Sequence, residues 1–135
     1  MTFDEILDQL KSDGWPLQRL SDSTARCSFR GELRTFSFFV HHDGSYLSMA
    51  AVPYLRLPLN DAQAEVLMDR LLHLNREITF AKFSVDDDGD VVLSVEYPLT
   101  DMDPSELHDA VDVLTFYANR YWAELEILAR EKSEQ

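Results

Sequence analysis

The side chains of this chain that could perform chemistry are four histidines, one cysteine and a run of aspartates. The histidines are His41, His42, His73 and His108. Neighbouring residues of a strand point to opposite faces, so His41 and His42 cannot bind one metal ion without a bulge. No two histidines have the i, i+4 spacing that pairs metal ligands on one helix face. We therefore expect turn and surface histidines, with a metal site shared across a dimer as the alternative.

Four aspartates surround Gly89, at positions 86, 87, 88 and 90, and look like part of a calcium-binding loop. An EF-hand loop needs glycine at its sixth position and glutamate at its twelfth. Counted from Asp86, Gly89 is fourth and Tyr97 is twelfth. The Asp-Gly pair between two β-rich segments instead predicts the turn of a β-hairpin, with weak surface binding of cations as the alternative.

The positions of Cys27 and the four glycines argue against a nucleophilic cysteine and against a nucleotide-binding loop. Cys27 lies on the apolar face of an alternating segment, which predicts a buried and unreactive thiol. Gly14 is predicted to end a helix, and Gly31, Gly44 and Gly89 are predicted to lie in turns. No glycine remains for a phosphate-binding loop, and neither nucleotide fingerprint occurs. We therefore expect no catalytic residues, no bound metal and no cofactor.

The length and composition fit one folded domain in a reducing compartment. The chain has 135 residues, of which 45% are hydrophobic, enough for a core without disulfides. We expect a domain at residues 1–128 and a polar tail at residues 129–135. The N-terminus lacks the basic and apolar regions of a secretory signal. The longest uncharged stretch is far shorter than the roughly 20 residues of a membrane span. A cytoplasmic protein is the prediction.

The formal charge of −13 bears on the choice of partners. Such a field repels nucleic acid and anionic membranes, whose binding depends on neutralising phosphates with lysine and arginine. We therefore expect no direct nucleic-acid partner and no membrane partner. The same field would steer a basic protein toward the chain, although simple solubility is an alternative explanation for the charge.

Three segments have the pattern of amphipathic helices. A capping box followed by an i, i+3, i+4, i+7 apolar pattern predicts a helix at residues 3–13, and similar signals predict one at residues 61–75. Asp103 caps a third helix, and Pro104 occupies its first position. The apolar face of this third helix continues to Leu128.

The remaining segments predict strands. Residues 17–57 read as a run of strands, and residues 78–85 and 91–97 as a hairpin. Pro53 lacks an amide donor and predicts an edge strand or a strand end. The order is α-β-β-β-β-α-β-β-α. This order predicts an α+β fold in which three helices pack mainly on one face of an antiparallel sheet.

Several apolar side chains exceed what one buried face requires. The strands at residues 36–40 and 46–54 are apolar on both faces, and the last helix has apolar residues outside its main stripe. Exposed patches of this kind usually mark an interface. The candidate protein-interface residues are Phe36, Phe38, Phe39, Tyr46, Tyr54, Val113 and Phe116. Ordinary burial within the chain is the alternative.

Five short motifs make the chain similar to a known family. In order they are Gly14-Trp15, Leu74-Asn75-Arg76, Phe80-Ala81-Lys82-Phe83, Asp88-Gly89-Asp90 and Tyr121-Trp122. Their order and spacing resemble the bacterial YbjN-like proteins, which are labelled sensory transduction regulators. The resemblance covers about residues 3–128.

The resemblance implies a fold similar to the class I type III secretion chaperones, which are acidic, dimeric proteins that hold extended segments of their partners. It implies a homodimer and a non-enzymatic, chaperone-like adaptor or regulator. The client could be a basic protein, such as one that binds nucleic acid. The family has no catalytic residues to carry over. The alternative function is a small-molecule-sensing regulatory domain, with the ligand between sheet and helices.

Overall fold

Helices and strands follow one another in the predicted order. The computed structural model describes residues 1–130. Its elements are α1 (Phe3–Ser12), β1 (Gln18–Arg19), β2 (Thr24–Arg30), β3 (Thr35–His42), β4 (Tyr46–Arg56), α2 (Asp61–Glu77), β5 (Ala81–Val85), β6 (Asp90–Pro98) and α3 (Pro104–Ala129). Most of the predicted tail, residues 131–135, lies outside the described residues, and the domain boundary stays a prediction.

Each helix begins at a polar side chain that accepts a free backbone N–H. The caps are Thr2, Asn60 and Asp103, and each accepts from the residue three positions later. These bonds satisfy donors that the first helical turn leaves without partners. The predicted starts of the helices are confirmed, while α1 ends at Ser12 and α2 continues to Glu77. None of the helices within residues 1–130 is long and apolar enough to cross a bilayer.

The six strands form one antiparallel sheet in the order β1-β2-β3-β4-β6-β5. The side chains alternate, and Phe38, Met49 and Leu93 are among those buried on the inner face. Helix α3 packs across β4 and β6, α2 packs beside it against β5, and α1 also packs against α3. The fold class is therefore confirmed: three helices cover one face of an antiparallel α+β sheet.

The location of Pro53 differs from the prediction. It lies in β4, a central strand between β3 and β6, and not at the edge of the sheet. Pairing with β3 ends at Ala51, and the register with β6 is irregular between Ala51 and Leu55. A residue without an N–H is tolerated at such a bulge because the ladder is already interrupted there.

The core between the sheet and α3 contains one buried phenol. The Tyr54 hydroxyl donates to the Ala118 carbonyl at 2.7 Å, and the Tyr54 ring stacks on Phe36. Burial raises the pKa of the Tyr54 phenol, and the charge of Arg34 opposes this shift. The hydroxyl is therefore a neutral donor that ties β4 to the middle of α3.

Candidate protein-binding surfaces

The sheet has one face that no helix within residues 1–130 covers, here called the open face. One row of side chains across it runs from Arg26 through Phe39, Ala50 and Ser94 to Lys82. Arg26 and Lys82 are exposed at the ends of the row, whereas Phe39 is half-buried and Ser94 is buried. The centre of this row is therefore nearly apolar with small side chains beside Phe39, and its two ends are charged.

The outer edge of β2 is only partly paired. Strand β1 contributes two residues, which pair with Ala25 and Arg26. Beyond them, residues 27–30 have β3 on one side and no strand of the described chain on the other. An open edge presents backbone donors and acceptors that another chain can pair with.

A hydrogen bond in the turn between β2 and β3 shows which backbone groups of β2 point to this open edge. The Gly31 N–H donates to the Arg34 carbonyl at 2.8 Å, so Gly31 faces β3. The direction of N–H and C=O alternates along a strand, and Ser28 and Arg30 therefore direct theirs outward. Neither has a partner at that edge within residues 1–130. We call Ser28 and Arg30 the β2 edge, which is able to bond an added strand.

The opposite edge of the sheet, formed by β5, is closed in its middle. The side chain of Asn75, on α2, accepts from the Phe83 N–H at 2.7 Å and donates to the Phe83 carbonyl at 2.9 Å. These are the two hydrogen bonds that a further strand would form at this position. Of the two edges of the sheet, the β2 edge is therefore the more accessible to a partner.

A cluster of exposed and half-buried side chains, most of them aromatic, lies where α3 passes the start of β5. We define the aromatic patch as Phe80, Tyr97, Val113, Phe116 and Tyr117. The Thr79 N–H donates to the Tyr117 hydroxyl at 3.0 Å, which joins the segment of Phe80 to α3, and Val113 lies one helical turn before Phe116 and Tyr117. The ring of Phe80 lies 6.3 Å from Tyr97, and that of Phe116 lies 5.4 Å from Tyr117. Phe80 and Phe116 are 72% and 57% exposed, which is unusual for phenylalanine. Exposed aromatic clusters are typical of protein interfaces.

Two features distinguish the aromatic patch from ordinary surface. Phe80 has a φ of +65°, a conformation that non-glycine residues adopt rarely and at a cost in energy. Burial, and next the negative charges of Asp109 and Glu106, raise the pKa of the Tyr97 phenol. The patch is therefore both aromatic and negatively charged at its border.

The structure distributes the predicted interface residues over three environments. Phe36, Phe38 and Tyr54 lie in the core, with at most 2% exposure. Phe39 and Tyr46 lie on the open face, whereas Val113 and Phe116 belong to the aromatic patch. Only the last four can reach a partner while the fold is intact, so our interface proposal is restricted to Phe39, Tyr46, Val113 and Phe116.

Sequence reasoning missed Phe80 and the β2 edge. Phe80 lies two residues before Lys82 and four before Ser84, which are exposed on one face of β5. Because side chains alternate along a strand, a phenylalanine at this spacing from polar residues indicates an exposed aromatic ring. The β2 edge had no such signal, because it depends on β1 being too short to cover β2.

The four histidines each have a different local partner and do not form one site. His41 bonds to Thr24 at 2.8 Å and His108 to Asp13 at 2.7 Å, while His42 and His73 each contact a nearby backbone carbonyl. Within the described residues, no three histidine, cysteine or acidic side chains are placed to hold a metal ion.

Cys27 and the aspartate run behave as structural residues. Cys27 is buried, as predicted, and burial raises the pKa of its thiol to about 11. The carboxylate of Asp86 accepts from the N–H groups of Asp88 and Asp90, at 3.0 and 2.9 Å. It thereby stabilises the turn of the β5–β6 hairpin that the Asp-Gly pair predicts.

Comparisons with known proteins identify both a family and a fold. Residues 2–126 match the sequence profile of the YbjN family, described as "Putative bacterial sensory transduction regulator". A search of curated proteins found no match.

Three solved structures share the fold at low sequence identity. The heterodimeric ExoU–SpcU complex from the type III secretion system of Pseudomonas aeruginosa has a TM-score of 0.62 and 18% identity, over 91% of this chain and 96% of that chain. The HopA1–SchA chaperone–effector complex has a TM-score of 0.60 and 20% identity, over 90% and 93%. The ExsC–ExsE complex has a TM-score of 0.61 and 15% identity, over 90% and 92%.

Proposed function

The chain belongs to the YbjN family, and we propose that it is a non-enzymatic protein-binding module, an adaptor or regulator that holds a segment of a client protein. One similar structure is a chaperone–effector complex and another is a heterodimer from a secretion system. The family and these structures are described as regulators or protein complexes and not as enzymes. Fold likeness alone does not transfer a function, so the proposal rests on the surfaces of this chain.

The observation that carries the proposal is the unpaired β2 edge. An extended client segment could form main-chain hydrogen bonds to Ser28 and Arg30, which would extend the sheet by one strand. Because Asn75 already occupies the middle of the β5 edge, the sheet favours addition on the β2 side.

The aromatic patch supports a basic client. Lysine and arginine side chains are attracted both to aromatic faces and to carboxylates. The patch offers the exposed rings of Phe80 and Phe116, and the charges of Asp109 and Glu106 act on its Tyr97. With a net charge of −13, the chain would also steer a basic protein toward itself. We therefore propose a basic client in the cytoplasm, with its cationic side chains on the aromatic patch.

The open face supports a homodimer. Phe39 lies between Arg26 and Ala50, and the small side chains of Ala50 and Ser94 follow it toward β6, so a second sheet could approach there to the usual separation of about 10 Å. A face-to-face arrangement would bury Phe39 and leave both the β2 edge and the aromatic patch accessible for a client.

The test of protein binding uses one strand residue with two substitutions. In Ser28→Pro, the outward N–H is lost, while proline is tolerated at a strand edge. Ser28→Thr keeps the N–H and favours a strand, so it is the matched control. Quantitative affinity capture from cell lysate should retain the same specific proteins with wild type and Ser28→Thr, and lose them with Ser28→Pro. Equal capture by folded Ser28→Pro would exclude strand addition at this edge.

A second candidate function, the sensing of a small molecule, is favoured by one further observation. An open cleft of about 370 Å³ lies beside the C-terminal half of α3, and three arginines are among the residues that line it.

A further inference from the structure

We propose that this cleft, here called the arginine cleft, binds a small organic anion that joins a carboxylate or phosphate group to an apolar body. Its walls come from β4, α3 and the turn before β3. They include Arg34, Pro53, Arg56, Trp122, Glu126 and Arg130. The inference rests on the second candidate function and is independent of protein binding at the β2 edge.

Arg34 is held in one position by its neighbours. Its guanidinium lies over the ring of Phe36 at 5.1 Å and over that of Trp122 at 5.7 Å. Its Nη1 donates to the Tyr54 carbonyl at 3.2 Å, and its Nε donates to the Thr35 carbonyl at 3.3 Å. A guanidinium that is already ordered loses little further side-chain entropy when it binds a ligand.

The positive charge of Arg34 is not paired within the described residues. No carboxylate of residues 1–130 lies within 4.0 Å of it, whereas Arg70 forms two bonds to Glu124 at 2.7 and 3.0 Å. Three of the five guanidinium N–H groups of Arg34 have no acceptor in that range. Because Arg34 is partly shielded from water, an oxyanion that accepts from these groups in a bidentate arrangement would be stabilised.

The local charge of the arginine cleft is opposite to that of the chain. Arg34, Arg56 and Arg130 line it together with one acid, Glu126. The partner of Arg56 is Asp90, at 3.6 Å, and the Arg56 side chain is 82% exposed. The repulsion from the distant acids of the chain is screened over roughly 8 Å at physiological salt, so the nearby arginines dominate at the site.

Glu126 competes with a ligand for one of the arginines. Its carboxylate accepts from Arg130 at 2.7 and 3.1 Å, and it also lies on the wall of the cleft. Removal of this charge would release Arg130 and reduce the repulsion of an anion. The structure therefore assigns opposite effects on anion affinity to Arg34 and Glu126.

The apolar wall indicates an organic ligand instead of an inorganic ion. Pro53 is exposed, and the half-buried indole of Trp122 lines the cleft beside it. The Trp122 Nε1 is buried without a hydrogen-bond acceptor in the described residues. A ligand whose oxyanion bonds to Arg34 would place its carbon skeleton against these side chains.

Trp122 also reports the binding by fluorescence. In a Trp15→Phe background, Trp122 is the remaining tryptophan of the chain. The probes are phenyl phosphate, phenylacetate and neutral 2-phenylethanol, titrated at constant ionic strength. We expect a saturable change with at least one of the two anions and none with the alcohol. Saturation by phenyl phosphate alone, by phenylacetate alone or by both supports the site and identifies the group that it accepts.

Three substitutions in that background test which residues bind the anion. We expect Arg34→Gln to weaken binding about tenfold or more, since an ionic hydrogen bond is lost. Arg76→Gln, at an exposed arginine of α2 that is remote from the cleft, should leave affinity unchanged. Glu126→Gln should bind about twofold or more tightly because the competing carboxylate is gone. This gain of affinity cannot result from misfolding, so it keeps the test decisive if Arg34→Gln fails to fold.

The proposal is overturned if neither anion gives a saturable change, if folded Arg34→Gln binds like the wild type, or if Glu126→Gln does not bind more tightly. Capture of a client by the β2 edge would survive each of these results. Conversely, loss of client capture in Ser28→Pro would leave the fluorescence titration unchanged, so failures of the two functions are distinguishable.

Discussion

The side-chain amide of Asn75 forms both hydrogen bonds that a neighbouring strand would make with the backbone of Phe83, at 2.7 and 2.9 Å. An edge strand with free donors and acceptors invites pairing with other chains. Helix α2 therefore protects the β5 edge with one side chain, while the β2 edge at Ser28 and Arg30 has no equivalent within residues 1–130. This asymmetry is the basis for placing the added strand of the client at the β2 edge, while its cationic side chains are proposed to reach the aromatic patch beside β5.

Replacement of Asn75 by alanine should both destabilise the fold and expose the β5 edge. The N–H and the carbonyl of Phe83, both partly buried, lose their partners, so we expect the free energy of unfolding to fall by about 1–3 kcal/mol. Urea unfolding measures this loss, and sedimentation should show more self-association. Arg76→Ala, at the exposed neighbouring position, is the control. Equal stability of the two variants would contradict the role of Asn75.

The thiol of Cys27 should react slowly in the folded protein. Burial raises its pKa from 9.0 to about 11, which lowers the thiolate fraction near pH 8 about a hundredfold. A coloured disulfide reagent should therefore modify the native chain far more slowly than the chain in urea. Equal rates in the two states would contradict the buried position.

The same pKa shift predicts a loss of stability in alkali. The folded state holds the Cys27 proton more tightly than the unfolded state, so the contribution is complete below about pH 9 and is lost as the pH rises toward 11. Urea midpoints from pH 8 to 11 should fall more steeply for wild type than for Cys27→Ala. Parallel curves would show that this thiol does not contribute.

Self-association should depend on Phe39. In Phe39→Lys, a charge would be placed at the centre of the open face, and we expect the dissociation constant of the dimer to rise about tenfold or more. Sedimentation equilibrium measures it. Val66→Lys, at an exposed apolar residue of α2, should dimerise like the wild type. A monomeric wild type, or two variants that behave alike, would exclude a dimer through the open face.

Client binding should depend on Phe116. Phe116→Lys removes an aromatic contact and adds a positive charge that repels a basic partner, so affinity should fall about tenfold or more. Ile127→Lys adds the same charge at a similarly exposed position of α3 outside the aromatic patch, and should have a smaller effect. If added salt does not weaken binding, or if both variants bind equally, the basic client is excluded.

Local signals allowed most of the fold to be predicted from the sequence. The caps at Thr2, Asn60 and Asp103 act within one helical turn, and all three helices begin where these residues indicate. The alternation of buried and exposed residues also held, because it follows from strand geometry alone. The wrong prediction that Pro53 lies at a strand edge or end shows the limit of these local signals, because the order of strands in a sheet depends on contacts between distant segments.

The candidate site was harder to predict for the same reason. Alternation identified Phe36 and Phe38 as one face and Phe39 as the other, but it did not indicate which face the helices cover. The arginine cleft joins Arg34 to Trp122 and Arg130, which are close only in the folded chain. Neither the spacing of residues along the sequence nor the amino-acid composition indicates such a contact.

Amide hydrogen exchange at Ser28 and Arg30 tests protein binding through the β2 edge most directly. In the free protein these two outward N–H groups should exchange rapidly, whereas those of Cys27 and Phe29, which face β3, should be protected. Addition of a captured client should slow exchange at Ser28 and Arg30 about tenfold or more, as measured by NMR. Unchanged exchange at both residues with the client bound would contradict strand addition at this edge.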